Sequence, residues 1–268
     1  MRIAVTGARG LLGRAVTARA VEAGNEVISL DQTLPEREGA GGPVREQTVD
    51  VTDRDALRDL VKDADALIHL AAYVTPLNAP DHVVHNTNVV ANYNVLSVAV
   101  ELGIERVCLA SSINAIGGAY SRHPRYDYFP VDERHPTYAE DPYSVSKWEG
   151  EQQASAVARR YPALRVASLR MHAIRDRAIS SEAPERNSRD LWGYSPLPAV
   201  AAACLATLTA SFGGHEVFYI VAAETVCDLD SLTLREQFYP EVPVVGDLSG
   251  RRSFFDCAKA RSVLKWQA

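Results

Sequence analysis

The chain has 268 residues, of which 47% are hydrophobic and 23% charged, and its net charge is −6. These values predict a soluble globular protein with a substantial core and exclude nucleic acid as an expected partner, because no basic run is present. No apolar run is long enough to span a membrane, and the N-terminus lacks the layout of a signal peptide, so we expect a cytoplasmic protein. The four scattered cysteines predict buried reduced thiols and no metal site.

A glycine-rich turn follows the first predicted strand, residues 2–6. Its sequence is Thr6-Gly7-Ala8-Arg9-Gly10-Leu11-Leu12-Gly13, and a helical pattern follows it to about Ala23. In this context Gly7 makes the tight turn, Gly10 lets the backbone approach a pyrophosphate, and Gly13 lets helix and strand pack closely. The pattern therefore predicts a dinucleotide site at the N-terminus of the first helix.

The second predicted strand, residues 26–30, leads into Asp31. A carboxylate at this distance from the glycine turn binds the hydroxyls of the adenosine ribose and repels a 2′-phosphate, which favours NAD over NADP. Arg9 in the turn and Arg37 in the following loop are side chains that could instead reach a 2′-phosphate. The sequence therefore predicts NAD as the cofactor, with NADP not excluded.

The third predicted strand, residues 44–51, brings Asp50 to the same edge of the sheet. Asp50 is placed to hydrogen-bond an adenine amino group, while Thr52 or Asp53 caps the next helix.

A fourth predicted strand, residues 66–70, is followed by two alanines, Ala71 and Ala72. Small residues at the end of a parallel strand allow the backbone to approach a cofactor closely. His69, inside this strand, is predicted to be a structural histidine.

A serine pair and a tyrosine–lysine pair come next. A predicted helix over residues 86–102 precedes a fifth strand over 105–110, and that strand ends at Ser111-Ser112. After about thirty loop residues, Tyr143 and Lys147 stand four positions apart in a predicted helix, which places them on one face. Ligands of open parallel sheets lie at the C-terminal ends of strands, so we place the chemistry between Ser112 and this pair.

Together these segments resemble the extended short-chain dehydrogenase/reductase family, also called the NAD-dependent epimerase/dehydratase family. The resemblance runs from residue 1 to about 175 and returns weakly between Phe255 and Trp266. It implies an α/β fold of the Rossmann type, a doubly wound parallel sheet of about seven strands. The implied organisation is an NAD(P)-binding domain over residues 1–174 and a small substrate-binding part over 175–268, interleaved with the sheet. The motifs that carry the resemblance are Thr6-Gly7-x-x-Gly10-x-x-Gly13, Asp31, Asp50-Val51-Thr52, His69-Leu70-Ala71-Ala72, Asn88, Ser111-Ser112 and Tyr143-x-x-x-Lys147.

The resemblance also implies roles for individual residues. Ser112 matches the substrate-orienting residue, Tyr143 the acid/base, and Lys147 the residue that holds the nicotinamide ribose and lowers the tyrosine pKa. The chemistry agrees, because a tyrosine of pKa about 10 is a poor base at neutral pH unless positive charge favours its phenolate. The implied cofactor contacts are Gly7, Arg9, Gly10, Leu11, Leu12, Gly13, Asp31, Asp50, Val51, Leu70, Ala71, Ala72, Asn88, Ser111, Tyr143, Lys147 and Met171.

Differences from the family's motifs limit which of its reactions we expect this chain to catalyse. The sugar-nucleotide dehydratases carry an Asp-Glu pair after the serine or threonine, where this chain has Ile113-Asn114, so dehydration by that route is not expected. The short format resembles the uronate dehydrogenases, although those have an Asn-His pair after the serine. The 4-epimerases typically have a larger C-terminal part, but on catalytic residues alone they remain possible.

The substrate side is predicted from the last third of the chain and two loops. Residues 175–190 are dense in charge, and either form a solvated loop or a lid whose arginine clamps a carboxylate or phosphate. Arg189 is the best candidate for that clamp, with Arg186 second. Further candidate substrate contacts are Thr75, Ser112, Ile113 and Asn114. The aromatic residues of the 113–141 loop either stack on a sugar or fold the loop on itself.

The sequence thus predicts an NAD(P)-dependent oxidoreductase that transfers a hydride between a nicotinamide cofactor and a small hydroxyl or carbonyl substrate, a sugar or sugar acid, with Tyr143 as acid/base. A sugar epimerase with tightly bound NAD is the alternative, and a non-catalytic dinucleotide sensor is a weaker third. By family analogy we expect a homodimer formed through the helices at 86–102 and 143–160.

Overall fold

The computed structural model describes residues 1–33, 42–175 and 184–267. Within these ranges the strands are β1 (Arg2–Thr6), β2 (Glu26–Asp31), β3 (Val44–Thr48), β4 (Ala66–His69), β5 (Arg106–Ser112), β6 (Arg165–Met171) and β7 (His215–Ile220). The α-helices are α1 (Leu11–Glu22), α2 (Arg54–Val61), α3 (Asp81–Leu102), α4 (Pro142–Arg160), α5 (Leu197–Thr207), α6 (Ser231–Phe238) and α7 (Ala258–Val263). Two 3₁₀ helices cover Ile113–Ile116 and Pro184–Asp190. Arg37, Asp176, Arg177 and Glu182 lie outside the described residues.

The seven strands form one parallel sheet in the order β3-β2-β1-β4-β5-β6-β7. The direction of winding reverses between β1 and β4, so a crevice opens beyond the C-terminal ends of these two strands. The predicted doubly wound Rossmann-type fold is confirmed. The last third of the chain contributes β7, which pairs with β6 at the edge of the same sheet.

Both faces of the sheet are buried, because successive strand side chains point to opposite sides. In β1, Ile3 and Val5 belong to the core beneath α1 and α5, whereas Ala4 belongs to the core beneath α2, α3 and α4. The two helical layers leave the C-terminal edge of the sheet uncovered, and this edge carries the candidate site.

The largest differences from the predicted boundaries are at α3 and β3. Helix α3 begins at Asp81, five residues before the predicted start at 86, and its two opening residues, Asp81 and His82, are exposed and polar. Strand β3 ends at Thr48 instead of Val51. Of the two predicted caps for α2, Asp53 is the one used, since its carboxylate accepts the Ala56 N–H at 3.0 Å.

Helices α3 and α4 pack along each other, and α3 leaves Val90 and Tyr93 exposed. The predicted homodimer through these helices stays a prediction. No helix in the described ranges is both long and apolar enough to cross a bilayer. All four cysteines are buried with free thiols, as expected.

The contact between β1 and α1 tolerates no side chain at Gly13. A Cβ there would lie 2.2 Å from the Gly7 carbonyl oxygen and 2.6 Å from the Ala8 Cα, both backbone atoms that cannot swing aside. We expect Gly13→Ala to lower the free energy of unfolding by about 2 kcal/mol or more, because turn and helix must separate. Urea unfolding measures this change. Gly213→Ala is the matched control, since nothing lies within 4 Å of its added Cβ; equal destabilisation of both variants would contradict the close-packing role.

Candidate active site

Two adjoining cavities lie along the C-terminal edge of the sheet. The first, of about 510 Å³, is lined by Ser112, Tyr143 and Lys147, and we call it the tyrosine cavity. The second, of about 620 Å³, is lined by Asp31 and Asp50, and we call it the Asp31 cleft. They share the glycine turn and the end of β4 as a common wall, so together they form one continuous groove across the switch point of the sheet. The volume of each cavity is within the range of small-molecule sites.

The glycine turn presents the N-terminus of α1 to this groove. Gly7 has a φ of +66°, and a Cβ there would lie 2.7 Å from the Ala71 nitrogen, so only glycine fits. Gly10 is the exposed N-cap of α1, and no side chain caps the first turn. The free N–H groups and the positive end of the helix dipole suit a pyrophosphate. These features fit a bound dinucleotide.

Asp31 and Asp50 lie at the far end of the groove. The Asp31 carboxylate accepts the N–H of Arg9 at 3.0 Å and that of Gln32 at 2.8 Å, which fixes it against the glycine turn. Asp50 accepts the N–H and the hydroxyl of Thr52, and these hydrogen bonds lower the pKa of its carboxyl group. Both carboxylates are thus held in place beside the space where the sequence predicts an adenosine group.

Tyr143 stands in the first turn of α4, at the wall of the tyrosine cavity. Pro142 starts the helix, and Asp141 caps it by accepting the N–H groups of Tyr143 and Ser144 at 3.1 and 2.9 Å. One turn later, the Lys147 Nζ donates to the Ala110 carbonyl at 2.8 Å and lies 5.7 Å from the centroid of the Tyr143 ring. The cap and the lysine contact fix where the phenol sits.

Burial dominates the titration of both side chains. It raises the pKa of Tyr143 to about 12, and a polar contact with the Ser112 side chain offsets part of this increase. Burial lowers the pKa of Lys147 to about 8, although the Glu151 carboxylate acts in the opposite direction. The lysine is therefore largely protonated at neutral pH. The lowering of the tyrosine pKa by Lys147 stays a prediction.

Ser112 ends β5 and caps the first 3₁₀ helix. Its Oγ accepts the Asn114 N–H at 3.1 Å, which turns the chain so that Ile113 and Asn114 also line the tyrosine cavity. The Asn114 Oδ1 accepts the Ala119 N–H at 3.1 Å. Tyr120, from the same loop, lines the cavity and packs edge-on against Tyr143 with ring centroids 5.9 Å apart.

The other aromatic residues of the 113–141 loop fold it against the protein. Tyr126 and Phe129 belong to a buried ring cluster with Tyr239, Phe254 and Trp192. Packing within the protein is therefore found for Tyr126 and Phe129, whereas stacking of a loop aromatic such as Tyr120 on a sugar stays a prediction.

The structure brings most of the predicted cofactor contacts to the groove. The tyrosine cavity is lined by Gly7, Gly10, Leu11, Leu12, Gly13, Leu70, Ala72, Ser111, Tyr143, Lys147 and Met171, and the Asp31 cleft by Arg9, Asp31, Asp50, Val51 and Ala71. Asn88 instead holds the backbone of Tyr73 through two hydrogen bonds and also contacts Ser146. His69 is buried and bonded to Thr6 at 2.7 Å, and burial lowers its pKa to about 3, as suits a structural residue.

Two predicted substrate contacts do not line either cavity. Thr75 accepts the Leu77 N–H at 3.2 Å within its own loop. Arg189 is exposed, and its guanidinium donates to the Ser121 carbonyl at 3.3 Å. Its neighbour Asp190 lines the tyrosine cavity instead.

A buried ionic network beneath the site was missed by the sequence reasoning. Glu151 accepts the Ser111 hydroxyl at 2.6 Å and pairs with Arg170 through contacts of 2.9 and 2.7 Å; Arg170 also donates to the Tyr219 hydroxyl at 3.2 Å. The side chains of Glu151 and Arg170 are 3% and 6% exposed. One signal was available: Glu151 follows Lys147 by four residues and so shares its helix face.

The family model described as the NAD dependent epimerase/dehydratase family matches residues 3–174. The chain belongs to this family. NAD is the family's cofactor, which confirms the cofactor predicted from the glycine turn and Asp31.

Among curated proteins, the chain is 32% identical to an L-arabinose 1-dehydrogenase (NAD(P)(+)) of Haloferax volcanii over 71% of its own length and 76% of that protein's. It is 31% identical to a uronate dehydrogenase of Pseudomonas putida over 60% and 56% of the two lengths. The matches span about half the length of most of the first curated relatives. A solved UDP-glucose 4-epimerase of Thermotoga maritima is 21% identical to this chain. The match covers the whole of this chain and 93% of the epimerase with a TM-score of 0.73, which shows a shared fold. The chain is therefore similar to both dehydrogenases and epimerases.

The Glu151–Arg170 pair generates a stability prediction. We expect Glu151→Gln to lower the free energy of unfolding by about 3–5 kcal/mol, because it leaves the Arg170 charge buried and unpaired. The double variant Glu151→Leu with Arg170→Met removes both charges and is expected to recover most of the loss.

Urea unfolding of the three proteins provides the measurement. Glu26→Gln, which breaks the exposed ion pair with Arg2, is the control and is expected to leave stability nearly unchanged. A double variant no more stable than the single one would show that the charge pair is not the source of the effect.

Proposed function

We propose that this chain is an NAD-dependent dehydrogenase that oxidises one hydroxyl of a small sugar or sugar acid, or reduces the corresponding carbonyl. The observation that carries the proposal is the convergence of Ser112, Tyr143 and Lys147 on one wall of the tyrosine cavity. The similarity to an L-arabinose dehydrogenase and to uronate dehydrogenases supports a sugar as the substrate class.

In the proposed mechanism, Ser112 and Tyr143 hold the reacting hydroxyl of the substrate between their own hydroxyl groups. NAD, when bound, supplies the ring carbon that takes up or returns the hydride. Tyr143 accepts the hydroxyl proton during oxidation and returns it during reduction. Burial makes the phenolate costly, so the positive charge of Lys147 beside the ring has to offset that cost.

The residues of the groove also support a position for the cofactor. The first turn of α1 would hold the pyrophosphate, Asp31 the adenosine ribose, and Lys147 the other ribose. This arrangement leaves the part of the tyrosine cavity near Asn114, Tyr120 and Asp190 for the substrate.

An epimerase is the second candidate, supported by the same three residues and by the fold shared with a UDP-glucose 4-epimerase. The two reactions differ in their net redox change. A dehydrogenase accumulates reduced nicotinamide when supplied with NAD and sugar, whereas an epimerase returns the hydride and leaves the absorbance of the reduced ring unchanged.

We expect Tyr143→Phe to lower kcat by about a thousandfold, because it removes the acid/base hydroxyl and keeps the ring. Absorbance of reduced nicotinamide measures turnover over a panel of sugars, and calorimetric titration with NADH tests that cofactor affinity is unchanged. Tyr161→Phe, at the exposed end of the same helix, is the control. Full activity in Tyr143→Phe would refute the mechanism.

Asp31 is expected to set the choice between NAD and NADP. Asp31→Asn removes the charge that opposes a 2′-phosphate, so the ratio of kcat/KM for NAD to that for NADP is expected to fall at least about tenfold. Asp63→Asn makes the same change in net charge at an exposed position away from the groove. An unchanged ratio in Asp31→Asn, or an equal fall in the control, would remove Asp31 from the cofactor site.

A further inference from the structure

The segment Ser188–Asp190 is held by its three consecutive carbonyl groups. The first accepts the hydroxyl of Tyr239 at 2.7 Å, the second accepts the hydroxyl of Tyr126 at 2.7 Å, and the third lies 3.0 Å from the His172 Nε2. The His172 Nδ1 accepts the Ala173 N–H at 2.6 Å, so Nε2 carries the ring proton and donates it to the third carbonyl. These contacts come from three separate elements, and together they fix the position of Asp190.

The backbone directly after Asp190 is strained. Leu191 and Trp192 have φ values of +58° and +53°, in the left-handed region that large side chains rarely adopt. Trp192 is fully buried, and its Nε1 donates to the Pro184 carbonyl at 2.7 Å, which holds this conformation in place. Such strain persists only where the surrounding structure enforces it, and it is concentrated at functional sites.

With this backbone conformation, Asp190 lines the tyrosine cavity together with Tyr143 and Ser112. The side chain is 24% exposed, and its Oδ1 is enclosed without a hydrogen-bond partner among the described residues. Burial raises the pKa of Asp190 to about 6, while Arg175 acts in the opposite direction. Arg175 donates to the Gly193 carbonyl at 3.2 Å, and the Asp190 Oδ2 lies 3.9 Å from the His172 Nε2, beyond hydrogen-bond distance. The Asp190 carboxylate therefore keeps an acceptor oxygen, Oδ1, that has no partner among the described residues.

Few of the described side chains that line the tyrosine cavity carry a charge. Among its described lining residues, Lys147 and Asp190 are the two that are charged at neutral pH, since burial lowers the pKa of His172 to about 4. Lys147 is anchored to the Ala110 carbonyl beside Tyr143. Arg175 does not line the cavity but is close enough to lower the pKa of Asp190. Away from Lys147, the charged side chain among the described lining residues is thus the Asp190 carboxylate, where the sequence led us to expect an arginine.

We propose that Asp190 determines substrate specificity: its carboxylate accepts hydrogen bonds from hydroxyl groups of a neutral sugar and repels the carboxylate of a sugar acid. This inference rests on the proposed function and narrows its substrate class to uncharged sugars. The two oxygens of an ionised carboxylate only accept hydrogen bonds, so they suit a pair of sugar hydroxyl groups. A second carboxylate a few ångströms away meets like-charge repulsion in a partly buried site.

The test uses pairs of substrates that differ only at C6, where the hydroxymethyl group of the neutral sugar is a carboxylate in the acid, such as D-galactose with D-galacturonate and D-glucose with D-glucuronate. At pH 8, with NAD, the ratio of kcat/KM for the neutral sugar to that for its acid is measured in the wild type and in Asp190→Asn, which keeps size and removes charge. We expect the wild type to prefer the neutral sugar, and Asp190→Asn to lower that ratio by about ten- to a hundredfold. Asp63→Asn, with the same change in net charge, is expected to keep the wild-type ratio.

Asp190→Glu separates charge from structure, because it retains the carboxylate and is expected to keep the acid excluded even if turnover falls. Binding of the same sugars in the presence of NADH, measured by calorimetry, provides a readout that does not require turnover. A wild type that prefers the acid, an unchanged ratio in Asp190→Asn, or failure of the neutral sugars to bind would overturn the inference.

The two proposals fail in different ways. Selective binding of neutral sugars that is lost in Asp190→Asn, with no reduced cofactor formed, would support the role of Asp190 and refute the dehydrogenase. Oxidation of sugar acids by the wild type, abolished by Tyr143→Phe, would support the dehydrogenase and refute the role of Asp190.

Discussion

The buried ion pair between Glu151 and Arg170 ties helix α4 to strands β5, β6 and β7 of the sheet. Charges removed from water are tolerated only when they are paired and their remaining hydrogen bonds are satisfied. Ser111 and Tyr219 complete those bonds here, so the pair joins the end of β5, the end of β6 and β7 to one face of α4. A helix held in this way has little freedom to shift. Its first two turns, with Tyr143 and Lys147, therefore keep a constant position relative to Ser112.

The same network connects the last third of the chain to the helix that carries the candidate catalytic residues Tyr143 and Lys147. Tyr219 lies on β7, and its backbone N–H donates to Glu133 at 3.0 Å. The loop that carries Glu133 continues into the aromatic cluster around Tyr126 and Phe129, against which the Ser188–Asp190 segment is held. The wall of the tyrosine cavity and the support of helix α4 are thus parts of one connected structure. The organisation expected from the sequence, an NAD(P)-binding domain over residues 1–174 with a small substrate-binding part over 175–268 interleaved with the sheet, stays a prediction.

Where the sequence reasoning succeeded, the chemistry depends on short spacing. The turn from Gly7 to Gly13 has one strand–turn–helix geometry, and a tyrosine and lysine four apart share a helix face wherever the helix lies. The sequence reasoning was ambiguous where two neighbouring residues could serve the same role. Thr52 and Asp53 were equal candidates for a cap, and only the helix start decides between them. Arg189 was expected as the clamp, with Arg186 second, because an arginine suits a carboxylate or phosphate. The backbone carbonyls that orient this segment, however, bond to side chains far away in sequence.

The sequence by itself determined the order of strands and helices, the dinucleotide turn, the cofactor and the candidate catalytic triad, because each depends on residues close together along the chain. The tertiary structure alone decided what faces the tyrosine. Ser111 and Glu151 are 40 residues apart, and Tyr126 is 63 residues from the carbonyl it binds. Contacts over such distances follow from how the layers pack, which no local pattern records. They place Asp190, and not the expected Arg189, on the wall of the tyrosine cavity.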